Sequence, residues 1–403
     1  MALYAAAMTG KGIGAIAAVQ IFGDDAESVL ANIFKPAGPR HTEFKTGKIL
    51  LGSIADGDKT IDQVTIGCEG PQTFAIHCHG NPLIVEMIME LLGRHGAELI
   101  SAEELLRRTL TAQESLNTIA IEARLAQLNA KTLAGTKIIA NQIDAGLGEK
   151  ASQWLKDIET IALGQIAAEA EQILADSQPA KLIIFGCTIV LAGPPNSGKS
   201  TLLNYLAGRQ KAIVTDIEGT TRDWVSAECQ IGPLCVTLID TAGLDEKLAA
   251  TPGKSVEKAA QERTGRILTE AELILLVLDN SKTADQLNRT LIDKIAAKKV
   301  LTVLNKSDLA AKLDVAQLPD SLSSAVQISA KFGAGIENLK KEILQIAGVT
   351  EISTSTPVAF TSRQQNILRQ LTAAKTNRQA VLLISELLNG RAWRNLSTPR
   401  LNG

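Results

Sequence analysis

Residues 182–208 read LIIFGCTIVLAGPPNSGKSTLLNYLAG, and eight of them decide the fold: Gly193-Pro194-Pro195-Asn196-Ser197-Gly198-Lys199-Ser200. They fit the pattern G-x-x-x-x-G-K-[ST]. The apolar run LIIFGCTIVLAG before them reads as a strand, and TLLNYLAG after them reads as a helix. Glycines let such a loop curl until successive backbone N–H groups face phosphate oxygens. The helix adds its positive N-terminus to the same anion. Lys199 is then expected to reach the β- and γ-phosphates, and Ser200 to hold Mg²⁺.

Three further motifs follow in order. Asp240-Thr241-Ala242-Gly243 closes the apolar run VTLID. Its aspartate can reach Mg²⁺ through water, and the amide of Gly243 can sense the γ-phosphate. Asn305-Lys306-Ser307-Asp308 closes VLTVLN. The Asp308 carboxylate can accept from the N1–H and 2-amino group of guanine; adenine lacks both donors and would leave it unpaired. Ser329-Ala330-Lys331 follows Val326-Gln327-Ile328, and its backbone can face the guanine oxygen. Between the first two motifs, Asp216 to Asp223 contains Thr215's neighbours and Thr220-Thr221; Thr221 is the expected switch threonine on Mg²⁺. The candidate nucleotide contacts are therefore Asn196, Ser197, Gly198, Lys199, Ser200, Thr201, Thr215, Thr220, Thr221, Asp240, Gly243, Asn305, Lys306, Asp308, Ser329, Ala330 and Lys331. The ligand is GTP or GDP rather than an adenine nucleotide. Leu244 stands after DTAG, where Ras-like enzymes place a water-positioning glutamine, so another group must orient the water.

The 403 residues suggest between two and three domains at about 150 residues each. A hydrophobic share of 45% with 21% charged residues excludes a disordered or fibrous chain. Aromatics are only 3%, too few for a stacked-base RNA reader. With 41 basic and 43 acidic residues the net charge is −2, which sets up no broad field for nucleic acid. Five cysteines without a CxxC pair imply a reducing compartment. No apolar run is long enough to span a bilayer and the N-terminus lacks a basic leader, so a cytoplasmic protein with no membrane partner is expected.

The texture changes along the chain. Residues 1–98 mix short β-like runs (Ile13 to Phe22, Val64 to Ile76) with a helix beginning at Pro82, an α+β pattern. Residues 99–180 carry helical periodicity, with Ser101 as a helix start. Residues 181–350 alternate strand and helix around near-continuous apolar runs, as in a parallel sheet buried on both faces. Residues 351–403 return to helix from Ser362 to Leu388. The expected architecture is a multidomain α/β and α protein: a small α+β N-terminal domain, a helical domain, and a P-loop GTPase α/β domain inserted in the helical domain. His77, Cys78 and His79, with Cys68 as a fourth ligand, suggest a metal site, but adjacent residues on a strand point to opposite faces, so all three are not expected to converge on one ion.

The sequence resembles the tRNA modification GTPase family. The resemblance is carried by GPPNSGKSTLLNYLAGRQKAIVTDIEGTTRD, DTAGL, NKSDL and SAKFGAGIENL, with support from Gly14 to Gly23, His77-Cys78-His79-Gly80 and Thr361-Ser362-Arg363-Gln364. It covers nearly the whole chain. It implies a folate-binding N-terminal domain, activation by K⁺, a homodimer formed across the nucleotide face, a flavin-dependent partner protein, and tRNA as substrate at wobble uridine. It implies that Asn196, Thr215, Ile217 and Thr220 hold K⁺, and that Glu257 is the catalytic carboxylate.

The chain also departs from that family. Gln20 stands where the resemblance implies a folate-binding arginine, Pro71 where it implies a glutamate, and no lysine occurs between Lys59 and Lys131. Each lost charge-assisted hydrogen bond is worth roughly 1.5–3 kcal/mol, so folate is expected to bind weakly or not at all. The sequence stops at Arg400-Leu401-Asn402-Gly403 with no cysteine after Cys235, so the family's terminal cysteine motif is not matched and a shortened member is expected. An alternative function follows: a divergent GTPase switch or assembly factor that has lost the folate-dependent modification chemistry.

Overall fold

The computed structural model describes residues 2–10, 12–38, 43–70, 72–112, 117–208, 225–241 and 267–390. It forms two compact units, Met1–Asn117 and Thr118–Gly403.

The first unit is built on strands β1 (Tyr4–Ala7), β2 (Ile16–Phe22), β3 (Phe34–Pro36), β4 (Ile49–Asp56), β5 (Lys59–Gly70), β6 (Thr73–His79) and β7 (Glu98–Leu99). They form one sheet in the order β3-β4-β5-β6-β2-β1-β7. Neighbours run antiparallel except β1 and β7. The period-two pattern puts Val19, Ile21, Ile66 and Ile76 on one face, where helices α1 (Ala26–Ile33) and α2 (Pro82–Arg94) cover them. The cap of α2 is local chemistry: the Asn81 side chain accepts from the Leu83 amide at 3.0 Å, and Pro82 occupies the first turn. The run Val64 to Ile76 is not one strand. It breaks at the turn after Gly70 and returns as β6.

Helix α3 (Ala102–Thr111) starts where Ser101 Oγ accepts from the Glu104 amide at 3.2 Å. Its Leu105 packs on Tyr4, Ala6 and Phe22, and the Arg108 guanidinium lies 4.1 Å over the Tyr4 ring. Helix α3 therefore sits with the first unit, although the sequence texture turns helical at residue 99. Its Leu105 is buried against residues of β1 and β2 at the end of the sheet.

The second unit opens with α4 (Thr118–Gln127), α5 (Leu133–Asp144), α6 (Leu147–Lys156) and α7 (Leu163–Phe185). Residues 182–185, expected in a strand, are the last turn of α7. Gly186 ends that helix and β8 spans only Cys187–Ala192. After β8 come α8 (Lys199–Ala207), β9 (Val225–Ile231), β10 (Leu234–Asp240), β11 (Leu273–Asp279), α9 (Arg289–Ile295), β12 (Val300–Asn305), β13 (Ala325–Gln327) and α10 (Ile336–Ala347). The sheet order is β13-β12-β11-β8-β10-β9, parallel except between β9 and β10. Every residue of β11 is buried, as expected for a central strand covered on both faces.

Helices α11 (Ser362–Thr372) and α12 (Asn377–Asn389) then pack on α7 and on α6 and α4, respectively. Trp154, Ile166, Ile173, Leu368, Leu371 and Ile384 share one core. Two polar clamps, one buried and one half-buried, tie these helices together. Gln142, fully buried, accepts from the amides of Leu147 at 3.0 Å and Val358 at 2.9 Å and donates to Thr356 O at 3.0 Å. Arg363 holds Glu122 with two bonds of 2.7 Å and donates to the carbonyls of Glu386 and Leu387. Among the described residues, no helix is long and apolar enough to cross a membrane.

Candidate guanine-nucleotide site

The site lies at the C-terminal ends of β8, β10, β11 and β12, where an open parallel sheet presents its loops. Strand β8 delivers Gly193, and α8 begins six residues later at Lys199. Two glycines are obligatory. A Cβ on Gly193 would fall 2.2 Å from Val277 O, and one on Gly198 would fall 2.2 Å from Asn305 Nδ2. Both also have positive φ, at 139° and 95°. Lys199 is buried, and its ammonium donates to the carbonyls of Gly193 and Pro194 at 2.9 Å each. Ser200 Oγ donates to Asp240 Oδ2 at 2.5 Å, so strand β10 brings its terminal carboxylate to the start of α8. These are two hard oxygen donors side by side, the donor set that Mg²⁺ takes. Ser200 and Asp240 would hold that ion, which supplies charge neutralisation at the phosphates. Ser197 is buried within the same loop, and Thr201 follows on the first turn of α8.

Two adjacent side chains, Asn305 and Lys306, join the loop after β12 to the phosphate loop. Asn305, the last residue of β12, donates from Nδ2 to Ser197 O at 2.8 Å and accepts on Oδ1 from the Ala330 amide at 3.0 Å. Lys306 sits in the left-handed region at φ 64°. Its ammonium donates to Asn196 O at 2.8 Å and to Asp279 Oδ2 at 2.7 Å. Asp308 Oδ1 accepts from Ser329 Oγ at 2.6 Å, which fixes the carboxylate that the sequence motif expects to face guanine. Lys331 lies 5.0 Å from the centre of the Phe332 ring.

Asp279 is the residue the sequence reading missed. Burial pushes its carboxyl up, but the Lys306 bond, the two Ser281 bonds and the nearby ammonium charge outweigh that and hold it below the usual carboxylate range. A signal was present: LILLVLD is six apolar residues and one acid, and a carboxylate ending a fully buried strand needs a partner.

Thr215, Ile217, Thr220, Thr221, Gly243 and Glu257 lie outside the described residues, as do Leu244 and Pro71. In the first unit, Gln20 donates from Nε2 to Glu69 Oε2 at 2.5 Å, and its Oε1 is buried without a partner. A neutral amide tied to a carboxylate does not fit the place of a folate-binding guanidinium. His79 donates its backbone N–H to Asp62 at 2.8 Å and pairs through Nδ1 with the same carboxylate at 2.7 Å. The Cys78 thiol faces Ala17 O. Among the described residues, no three metal-binding side chains converge.

Comparison with known proteins is consistent with both units. Residues 188–306 match the family model of a 50S ribosome-binding GTPase. Residues 3–113 match that of the GTP-binding protein TrmE N-terminus. The tRNA modification GTPase MnmE of Lactobacillus acidophilus is 31% identical over 391 residues, spanning 84% of this chain and 83% of that protein. That of Lactiplantibacillus plantarum is 31% identical over 379 residues, spanning 85% and 80%. That of Enterococcus faecalis is 29% identical over 426 residues, spanning 96% and 88%.

Proposed function

The chain belongs to the family of the tRNA modification GTPase MnmE and is a GTP hydrolase of tRNA modification, and from that premise we propose a K⁺-stimulated, dimerisation-dependent cycle acting at wobble uridine. The observation that carries the GTPase reading is the convergence of Lys199, Ser200 and Asp240 on one loop that Asn305 ties to the Ser329–Lys331 segment. The proposed domain plan places the GTPase unit, 181–350, within the helical domain; the core shared by α4, α6 and α7 with α11 and α12 supports it. Tandem mass spectrometry of tRNA nucleosides from a deletion strain tests the substrate. Loss of the carbon-5 modification at wobble uridine, restored by the wild-type gene, is expected. An intact profile in a genome without a second family member would overturn it.

In this reading Asn196 offers its side-chain oxygen to K⁺, with Thr215, Ile217 and Thr220 completing the site, so the ion neutralises charge that builds up on the phosphates. Glu257 takes over the orienting of water that Leu244 cannot perform. GTP turnover is expected to be at least about tenfold faster in KCl than in NaCl, and Asn196→Ala to lose that difference while keeping nucleotide affinity. Equal wild-type rates in the two salts would refute the K⁺ assignment.

The folate half of the family chemistry is a separate matter. The Gln20–Glu69 bond supports the second reading, a GTP-driven switch or assembly factor without its own one-carbon cofactor. Calorimetric titration with a reduced folate is expected to give no measurable heat at micromolar concentrations. Micromolar binding would return the cofactor to this chain. A flavin-dependent protein partner and a homodimer across the nucleotide face complete the proposal.

A further inference from the structure

We propose that Asp279 is a positioning residue for guanine-nucleotide binding, clamping Lys306 so that the base-recognition and phosphate loops form one rigid cradle; this rests on the GTP-binding reading above. Asp279 is 2% exposed. Both of its carboxylate oxygens are engaged: Oδ2 accepts from the Lys306 ammonium at 2.7 Å, and Oδ1 accepts from the Ser281 amide at 3.0 Å and hydroxyl at 2.6 Å. Its backbone is pinned as well. The Asp279 N–H donates to Gln286 Oε1 at 2.9 Å, and Gln286 Nε2 donates to Asp279 O at 3.0 Å. The carboxylate is thus a fixed point at the end of a central strand.

What it fixes is under strain. Among the described residues, Asn196 and Lys306 are the non-glycine residues with positive φ, at 61° and 64°. A single bond of 2.8 Å, from the Lys306 ammonium to Asn196 O, joins the two. Such backbone conformations persist only where the surroundings over-determine them. The Lys306 ammonium is therefore a strut, beside the Asn305–Ser197 bond, between the loop that carries Asp308 and the loop that carries Lys199, and Asp279 anchors it. Asp279 reaches the nucleotide only through Lys306. Removing it should loosen binding of the whole guanine nucleotide and leave the chemical step unchanged.

Equilibrium binding of a fluorescent N-methylanthraniloyl-GDP and steady-state GTP hydrolysis by the full chain test this. For Asp279→Asn, the dissociation constant for GDP and KM for GTP are expected to rise about tenfold or more, with kcat held within about twofold. The double variant Asp279→Asn/Lys306→Met should bind no more weakly than Lys306→Met alone, because both substitutions break the same strut. A role confined to stability would lower the unfolding midpoint and leave the dissociation constant of the folded fraction unchanged. Wild-type affinity in Asp279→Asn, or additive effects in the double variant, would overturn the proposal. If Asp279→Asn does not fold, Ser281→Ala carries the test: it removes one bond from the same carboxylate and should raise the dissociation constant a few-fold, and no rise overturns the proposal. A wild-type protein that fails to bind the GDP probe would sink the GTP reading and this proposal together. A binding wild type with an unaffected variant would sink this proposal alone.

Discussion

Asp308→Asn is expected to transfer nucleotide preference from guanine to xanthine. The carboxylate is an acceptor on both oxygens, and guanine offers two donors, N1–H and the 2-amino group. An asparagine amide sets its own donor against one of them. Xanthine replaces the 2-amino group with an oxygen, which the amide can satisfy. The Ser329 hydroxyl, 2.6 Å from Asp308 Oδ1, holds the side chain in one orientation, so the substitution inverts a fixed pattern of donors and acceptors. Sites that leave a buried polar group unpaired reject the wrong ligand by about 10⁴-fold, and the ratio of GTP to XTP affinity should fall by about 10³-fold or more. Competition of GTP and XTP for the site reads this ratio directly. A variant that still prefers GTP as the wild type does would show that Asp308 does not face the base.

The second large effect concerns stability. Arg363→Met is expected to lower the unfolding free energy of the second unit by about 3 kcal/mol, seen as a reduced urea midpoint of its helical circular dichroism. The guanidinium does two jobs at once. It neutralises Glu122 with a two-point contact at 2.7 Å, and it covers the last carbonyls of α12 through Glu386 O and Leu387 O. Methionine preserves much of the side-chain volume but leaves the Glu122 carboxylate, 16% exposed, with the Gln364 amide at 2.7 Å and the Thr361 hydroxyl at 3.2 Å as its remaining partners. The restored variant Glu122→Gln/Arg363→Met should recover part of the loss, since it removes the uncompensated charge. An unchanged midpoint in Arg363→Met would mean that apolar packing of α11 on α7 and of α12 on α6, through residues such as Leu368, Leu371 and Ile384, holds the helices without the ion pair.

Sequence alone determined what is encoded within a few residues. The phosphate loop, the DTAG motif and the NKSD segment are legible because the residues that such a site needs stand close together in the chain. Helix starts at Pro82 and Ser101 are legible for a similarly local reason: proline fits the first turn and the Ser101 side chain caps the Glu104 amide, whereas the caps by Asn81 and Thr361 emerge from the structure. The buried strand β11 is legible from its unbroken apolar run.

Tertiary structure decided what depends on a partner far along the chain. Residues 182–185 are as apolar as a central strand, and only their packing with the sheet and with α5 makes them the end of a 23-residue helix. Helix α3 looks like the start of a helical domain, yet its burial partner is a strand end nearly a hundred residues earlier. Gln142 finds Thr356 and Val358 across more than two hundred residues. Asp279 meets Lys306 because β11 and β12 pair in a register that sets Asp279 beside Asn305. Hydrophobic patterning says which face of an element is buried, but it carries no information about which neighbour buries it. That choice is made by the chain as a whole, and it is the choice that turned four separate motifs into one site.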